Sequence, residues 1–420
     1  MRTPIAWLLI PILSATCLLL TGCFGQGREL DETAFILAIG IDLAEGGEIE
    51  VSYQLSRQTP SPQENDGGQS SPGGTEIITI KAPSLGEARN LLNSVIAPTP
   101  NMAHAKVLVV SEKAARHGLQ DIIAPIVRFR EYRGSMFVVI SRGPAKDFLK
   151  VNKPLFAFSP AKYYEEMMGT SSEASYYPRI LLHEFYLLMK DHSAQAYAPY
   201  AAVNPSTGEG AGEAPVPEGK TREYLAGSLP RSGGNAVEFA GTAVFMGDKM
   251  VGLLTTQETR ALAILSGKFT QSYQIVRDPL MPQMSVNVYI GLQEKPKITA
   301  TLQDGRPVFD IDITVGGEIT AVPSGINYEK AEYRTLLQQQ ISIVYEEEIN
   351  KFLHKTQELN SDVAGLGYRL RPRFSIIDEF YDYNWNTQYQ TAIIRVHVKT
   401  LLQRSGLMRK SSPIVGGSKE

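Results

Sequence analysis

Two short apolar stretches decide the fold class: residues 106–111 read KVLVVS and residues 136–141 read MFVVIS. Each is a continuous apolar run of strand length, which is typical of a strand buried on both faces. A helix is predicted to begin near Ser111, between the two strands. Strands that alternate with helices in this way indicate an α/β domain, which we expect to extend to about Asn152.

The residues before these stretches extend the same domain. Residues 36–55 are predicted to form two strands around a turn at 45–47, because apolar and polar side chains alternate after that turn. Another strand is predicted over 77–81. Ser84 is placed to cap a helix, with Glu87 three residues later. We expect that helix to bury Ala88, Leu91, Leu92 and Val95 on one face.

The remaining two thirds of the chain also mix helices with strands. The predicted elements are, in chain order, helix within 160–190, a hairpin over 242–254 that turns at Gly247-Asp248, strands over 285–293, 297–302 and 310–315, a long helix over 328–357, and a closing strand over 392–401. The long helix has a predicted buried stripe of Leu337, Ile341, Val344, Tyr345, Ile349 and Phe352.

We therefore predict a mixed α/β protein with helices flanking mixed sheets. At roughly 150 residues per domain, 420 residues suggest two or three domains. The predicted division is a leader at 1–22, an N-terminal α/β domain at 23–155, a middle domain at 156–280, a C-terminal domain with the long helix at 281–410, and a tail at 411–420. The polar stretches 60–74 and 204–222 have too few apolar side chains to offset the cost of ordering, so flexible loops are expected there.

The first residues resemble a bacterial export leader. A positive charge at Arg2 precedes an apolar run from Pro4 to Leu20, as in a secretory signal peptide. The sequence LTGC at 20–23 then resembles a lipobox, in which small residues precede a cysteine that is lipidated and becomes the new N-terminus. We expect cleavage before Cys23 and anchoring of the chain to a membrane by lipid on that residue.

Composition and motifs give little sign of catalysis. A net charge of −3 provides no basic field for nucleic acid, and the two cysteines, Cys17 and Cys23, cannot form a disulfide framework. The six histidines show no metal-ligand spacing, and no metal or other cofactor is expected. Ser159 and Lys162 match S-x-x-K, but the companion motifs of penicillin-binding enzymes are absent, which favours a helix cap at Ser159.

Several motifs, taken in order, resemble those of the Ger(x)C spore germination lipoproteins. They are RELDE at 28–32, GID at 40–42, the stretch from His104 through KVLVVSE to Arg128, AKDFL at 145–149, DVAGLG at 362–367 and RSGL at 404–407. Two motifs depart from the family pattern. Phe24-Gly25 follows the cysteine where Trp-Asp is usual, and Ala364 and Leu366 stand where the family has phenylalanine.

The resemblance implies a three-domain lipoprotein on the outer face of the spore inner membrane. It implies a C subunit of a nutrient germinant receptor, with no enzymatic activity, that assembles with the integral-membrane A and B subunits. Aromatic and arginine side chains dominate many protein interfaces, so we expect Phe24 and Arg28, next to the lipid, to take part in docking. Tyr381 and Trp385 are a second candidate cluster for docking, and the alternative is that they pack on the long helix.

Two other functions are open on the sequence. A solute-binding lipoprotein of a transporter would have a similar leader and α/β domains, but it would present two similar lobes, and no second copy of the first domain is visible. A lipid-anchored cell-wall enzyme is less favoured, since it would require the serine or metal motifs that are missing.

Overall fold

The computed structural model describes residues 32–56, 74–154, 160–204 and 222–404. Within these ranges the strands form two sheets with helices packed against them, which confirms the predicted mixed α/β class. The leader, Cys23, Phe24, Arg28, Ser159, residues 405–420 and all but the end residues of the two polar loops lie outside the described residues.

The first sheet is built by nine strands of the described residues, in the spatial order β3-β2-β1-β5-β6-β7-β8-β9, with the short β4 also paired to β1. Their bounds are β1 (Thr33–Leu43), β2 (Ile49–Ser56), β3 (Thr75–Ala82), β4 (Thr99–Asn101), β5 (Val107–Ser111), β6 (Phe137–Ser141), β7 (Tyr197–Val203), β8 (Val237–Met246) and β9 (Lys249–Leu254). Strands β1, β5, β6 and β7 run parallel, so their amino ends lie at one edge of the sheet. We call this the amino edge.

The helices of the described residues precede, follow and connect these strands. They are α1 (Leu85–Asn93), α2 (Glu112–His117), α3 (Gln120–Arg128), α4 (Ala145–Val151), α5 (Pro160–Ala174), α6 (Leu182–Met189), α7 (Thr256–Leu265), α8 (Ala331–Glu358), α9 (Gly367–Leu370), α10 (Ile377–Tyr383) and α11 (Trp385–Gln388). The predicted cap of α1 is confirmed, since Oγ of Ser84 accepts a hydrogen bond from the backbone N–H of Glu87 at 3.2 Å.

The central strands β5 and β6 are buried on both faces, as their continuous apolar sequences predict. Val109 of β5 belongs to the same cluster as Phe148 of α4, on one face of the sheet. Val110 belongs to the cluster that contains Ile123 of α3, on the other face. Because successive side chains of a strand point to opposite faces, a strand between two helical layers needs an apolar residue at every position.

The second sheet lies in the last third of the chain and is organised by one long strand. Its strands are β10 (Gln271–Arg277), β11 (Ser285–Leu292), β12 (Lys297–Gln303), β13 (Arg306–Ala321) and β14 (Ile393–Arg404). Along one side β13 pairs first with β12 and then with β11, and along the other side it pairs in parallel with β14. The predicted buried stripe of α8 is confirmed except at Val344, which is only half-buried.

Strand β14 lies at the edge of this sheet, and side chains of α8 bond to its outer backbone. The N–H of Val398 donates to Oε1 of Glu346 at 2.8 Å. Nε2 of Gln338 donates to the carbonyl of Thr400 at 2.7 Å. Since backbone groups on a free strand edge otherwise offer pairing sites to other chains, these bonds protect the edge.

Three ion pairs tie α8 to the segments that precede β8 and follow β9 of the first sheet. Arg260 of α7 pairs with Glu348 at 2.9 Å, and Lys355 pairs with Glu258 at 2.6 Å. Lys351 pairs with Glu223, also at 2.6 Å.

Strands β7 to β9 of the predicted middle domain belong to the first sheet, whereas β10 belongs to the second. The predicted domain boundaries at 155/156 and 280/281 stay a prediction.

Some expectations for single elements were wrong. Leu91 and Val95 are exposed, because α1 ends at Asn93 and buries only a narrow face. Strand β7 was not predicted, since Pro199 and its many alanines are poor strand formers. Pro199 is tolerated there because the pairing of β7 with β8 shifts register between Pro199 and Ala201.

Candidate docking site

The DVAGLG motif forms a tight turn around the buried carboxylate of Asp362. Its two oxygens accept hydrogen bonds from the backbone N–H groups of Leu366 at 3.1 Å and Gly367 at 2.9 Å. The indole Nε1 of Trp385 donates to Oδ2 at 2.9 Å. Burial raises the pKa of Asp362 to about 6, although these donors favour the charged form. The motif therefore uses one carboxylate to fix a turn and an aromatic side chain.

The same turn is bound to the residues that lead into β7. The backbone N–H of Gln195 donates to the carbonyl of Asp362 at 2.9 Å. The hydroxyl of Ser361 donates to the carbonyl of Phe245 in β8 at 2.6 Å. A side chain at Gly367 would place Cβ only 2.4 Å from the carbonyl oxygen of Ser193, so this contact requires glycine. The C-terminal motif is thus fixed against the first sheet.

The two aromatic residues of the predicted docking segment have different environments. Trp385 is 1% exposed and lies between Phe309 and Tyr389, so its side chain is not at the surface. Trp385 is therefore not accessible to a partner, because its indole N–H and ring are already used in the interior. Tyr381 is 45% exposed, and its ring lies 4.3 Å from that of His192.

Tyr381 belongs to a small exposed surface built from two distant parts of the chain. Tyr368 is 43% exposed and its hydroxyl donates to Oδ2 of Asp191 at 2.6 Å. Asp191 precedes His192, which contacts Tyr381. We call these four residues the aromatic surface. Since aromatic side chains combine a large apolar area with a polar group, such a surface suits protein binding.

The aromatic surface lies at the amino edge of the first sheet. Asp191 and His192 come shortly before β7, which begins at Tyr197 and runs parallel to β1 through β6 and β5. Neighbouring strands are about 4.8 Å apart, so β7 lies roughly 14 Å from β1. Strand β1 begins at Thr33, ten residues after Cys23. The surface is therefore on the side of the sheet at which the chain enters from its N-terminus.

Sequence reasoning missed Asp191, His192 and Tyr368 as members of this surface. Asp191 and Tyr368 are 177 positions apart, and no local pattern connects them. The aromatic content of 380–385 was the one signal, and it identified Tyr381. Cys23, Phe24 and Arg28 lie outside the described residues, so their roles stay predictions.

The described residues contain no group of three metal-ligating side chains and no helix long and apolar enough to cross a membrane. All six histidines are exposed. A cavity of about 450 Å³ between α5 and α7 has a mixed lining of serines and threonines, apolar side chains and the charged residues Arg179, Glu184 and Lys268. Lys162 of the S-x-x-K match lies 3.6 Å from Glu166 on the same helix.

Comparison with known proteins agrees with the order of motifs along the chain. A family described as the spore germination protein N-terminal domain matches residues 26–203. A second, described as spore germination B3/GerAC like, C-terminal, matches residues 240–406.

Full-length relatives are also found. The protein YfkR of Bacillus subtilis (strain 168) is 21% identical over 98% of this chain and 99% of its own length. The spore germination protein KC of the same organism is 23% identical over 97% of each chain. The crystal structure of the GerBC protein has a TM-score of 0.47 and 15% identity, and the comparison covers 87% of this chain and 96% of that chain. From the two domain matches, which together cover most of the sequence, the chain belongs to the Ger(x)C family of spore germination proteins.

Proposed function

We propose that this protein is the lipid-anchored C subunit of a spore nutrient germinant receptor. In this role it is a non-catalytic scaffold or regulatory component that is needed for germination in response to nutrients. Lipid on Cys23 holds it at the outer face of the spore inner membrane. There it assembles with the integral-membrane A and B subunits.

One observation carries this proposal: the aromatic surface and the start of β1 lie at the same edge of the first sheet. If Cys23 is fixed in the membrane, that edge is the part of the sheet nearest to the bilayer. A membrane subunit that extends above the bilayer would meet Tyr381 and Tyr368 first. The short tether also keeps the surface at a high effective concentration near its partner.

The rigid base of the surface supports the same role. Tyr381 is in α10, directly before the buried Trp385, and Trp385 is held by Asp362. Tyr368 follows the turn that Asp362 fixes, and its hydroxyl is bonded to Asp191. Because these side chains are already ordered, docking costs little further conformational entropy. Arg28 and Phe24 are proposed as a second contact, close to the lipid.

The test uses spores that lack the gene and carry a copy of it in trans. Wild type, Cys23→Ala and a Tyr368→Ala/Tyr381→Ala double variant are compared for nutrient-triggered germination and for the amounts of the A and B subunits in the inner membrane. We expect normal germination with wild type and strongly reduced germination with both variants. Normal germination of spores that lack the gene would overturn the proposal, provided that no second receptor responds to the same nutrient.

A further inference from the structure

We propose that residues 128–133, with the sequence RFREYR, form a loop that contacts the headgroups of anionic lipids. In this arrangement Phe129 inserts at the bilayer interface and the arginines bind phosphate groups. We call this segment the arginine loop. The inference rests on the lipid anchor of the proposed function, and it adds a second contact with the membrane that the anchor alone does not supply.

The side chains of the arginine loop have the composition of an interfacial contact. Arg128, Arg130 and Arg133 are exposed, and within the described residues none of them lies within 4 Å of a carboxylate. Phe129 is 51% exposed. The one acid of the loop, Glu131, is neutralised by Arg89 at 3.3 Å. The loop therefore presents three free positive charges around an exposed aromatic ring, although the whole chain has a net charge of −3.

A continuous set of contacts places this loop beside the start of β1. Arg89, which binds Glu131, also donates from Nη2 to the carbonyl of Pro100 at 3.1 Å. Pro100 is in β4, where it is the register partner of Ala34 in β1. The loop also precedes β6, whose amino end lies at the same edge. These contacts fix the arginine loop where the chain enters the fold.

The length of chain before β1 brings this edge close to the bilayer. Thr33 is the tenth residue after Cys23, and even fully extended this stretch spans at most about 35 Å. With Cys23 in the membrane, this tether keeps the amino edge within about 35 Å of the bilayer surface. Val95 lies four residues before β4, at the same edge, and is 62% exposed. The edge thus carries apolar side chains as well as positive charge.

A lipid surface fits these features better than another protein does. Clusters of arginine next to a membrane anchor are attracted to anionic headgroups, and the attraction falls within a Debye length. A contact with a neighbouring protein is the alternative that the experiment separates.

Tryptophan fluorescence can report the position of the arginine loop. Its two tryptophans are Trp7, within the predicted leader, and Trp385, which is buried. Phe129→Trp therefore introduces the only exposed indole among the described residues. The mature lipidated protein, which begins at Cys23, is reconstituted, without other proteins, into vesicles with or without phosphatidylglycerol that contain brominated lipid. We expect the emission of Phe129→Trp to shift to shorter wavelength and to be quenched about twofold more with the anionic lipid.

Two further variants make the outcome unambiguous. Glu45→Trp places an indole in the exposed turn at the carboxyl end of β1, away from the bilayer, and should not be quenched. Adding Arg130→Glu and Arg133→Glu to Phe129→Trp should abolish the quenching without changing the thermal midpoint. Vesicle flotation reports the anchor separately. If the protein floats but the indoles at positions 129 and 45 are quenched equally, the proposed lipid contact of the arginine loop is wrong. It is also wrong if quenching at position 129 appears only when receptor subunits are added. Protein that does not float refutes the lipid anchor instead.

Discussion

Arg260 and Glu348 form a buried ion pair that joins the two sheets of the protein. Nη2 of Arg260 lies 2.9 Å from Oε2 and 3.2 Å from Oε1 of Glu348, so the guanidinium binds both oxygens. The side chain of Arg260 is fully buried, and Gln274 of β10 donates to the same carboxylate at 2.9 Å. One carboxylate of α8 thus contacts an arginine of α7 and a strand of the second sheet.

Breaking this pair on one side should destabilise the protein strongly. Glu348→Gln leaves the arginine charge buried without its counter-ion, and we expect a loss of about 3 kcal/mol in the free energy of unfolding. The double variant Arg260→Met/Glu348→Gln should lose less than the sum of the single variants, because no unpaired charge remains. Guanidinium unfolding followed by far-UV circular dichroism measures both values.

The matched control is the exposed pair Lys81–Glu48, at 2.9 Å. Glu48→Gln should leave the unfolding free energy almost unchanged, because both side chains of this pair are solvated. If Glu348→Gln and Glu48→Gln change the free energy of unfolding equally, burial of the Arg260–Glu348 pair does not increase the cost of breaking it.

Asp362 should make the free energy of unfolding fall as the pH rises from about 4 to about 6, which is the opposite of the usual effect of an aspartate. Its pKa is raised to about 6 in the folded protein, so the folded state holds this proton more tightly than the unfolded chain does. Its contribution to stability is therefore greatest below pH 4 and is lost as the pH rises to about 6. Asp362→Asn does not titrate. We expect the stability of wild type relative to Asp362→Asn to fall by about 2 kcal/mol between pH 4.5 and pH 7.5.

Urea unfolding of both proteins at the two pH values gives this difference directly, since contributions from other groups cancel. A difference that is constant with pH, or that grows as the pH rises, would contradict the raised pKa. Asp362→Asn should also be less stable than wild type at pH 4.5, because the amide NH2 opposes one of the three N–H donors, whereas both oxygens of the protonated acid can still accept.

Gly317 is required where β13 pairs with β11. A Cβ at this position would lie 1.9 Å from the carbonyl oxygen of Tyr289, and backbone atoms cannot move aside without breaking the pairing. We expect Gly317→Ala to lower the free energy of unfolding by about 3 kcal/mol. Gly143→Ala is the control, since no atom lies within 4 Å of its added Cβ. Similar thermal midpoints for the two variants would show that β13 can shift.

Tyr381→Ala should weaken receptor assembly and leave folding intact. The side chain is 45% exposed, so its loss opens no cavity in the core. Co-purification of the membrane subunits with the variant should fall several-fold, while its thermal midpoint stays within about 2 °C of wild type. Tyr273→Ala removes a tyrosine that is even more exposed, at 67%, from β10 in the second sheet and should leave co-purification unchanged. Loss of the subunits with both variants would argue against a localised docking surface.

Cys23→Ala should abolish lipidation, leaving the leader uncleaved or releasing the protein from the membrane. Mass spectrometry of the N-terminus and detergent-phase partitioning distinguish these results. Cys17→Ala is the matched control, because Cys17 lies within the predicted leader. Identical partitioning of wild type and Cys23→Ala would contradict the prediction.

The sequence predicted most of the fold because its main elements have local signals. The apolar runs of β5 and β6, the capped helix at Ser84 and the stripe of α8 all appeared within a few residues of their predicted positions. Strand β7 gave no such signal, since its pairing depends on neighbours far away in the chain. The docking segment was identified by its aromatic content, but composition could not show that Asp362 holds Trp385 in the interior and leaves Tyr381 outside.

The position of β14 determines when the second sheet can form during synthesis. Val308 pairs with Ile393, so the second edge of β13 stays uncovered until 85 further residues have been synthesised. Closing a connection of this length is slow, and the helix that protects β14 is made before the strand itself. A message truncated anywhere between α8 and β14 would yield a protein whose first sheet is complete but whose β13 has a bare edge. Such a product should be a substrate for proteases, so only chains that contain β14 should accumulate.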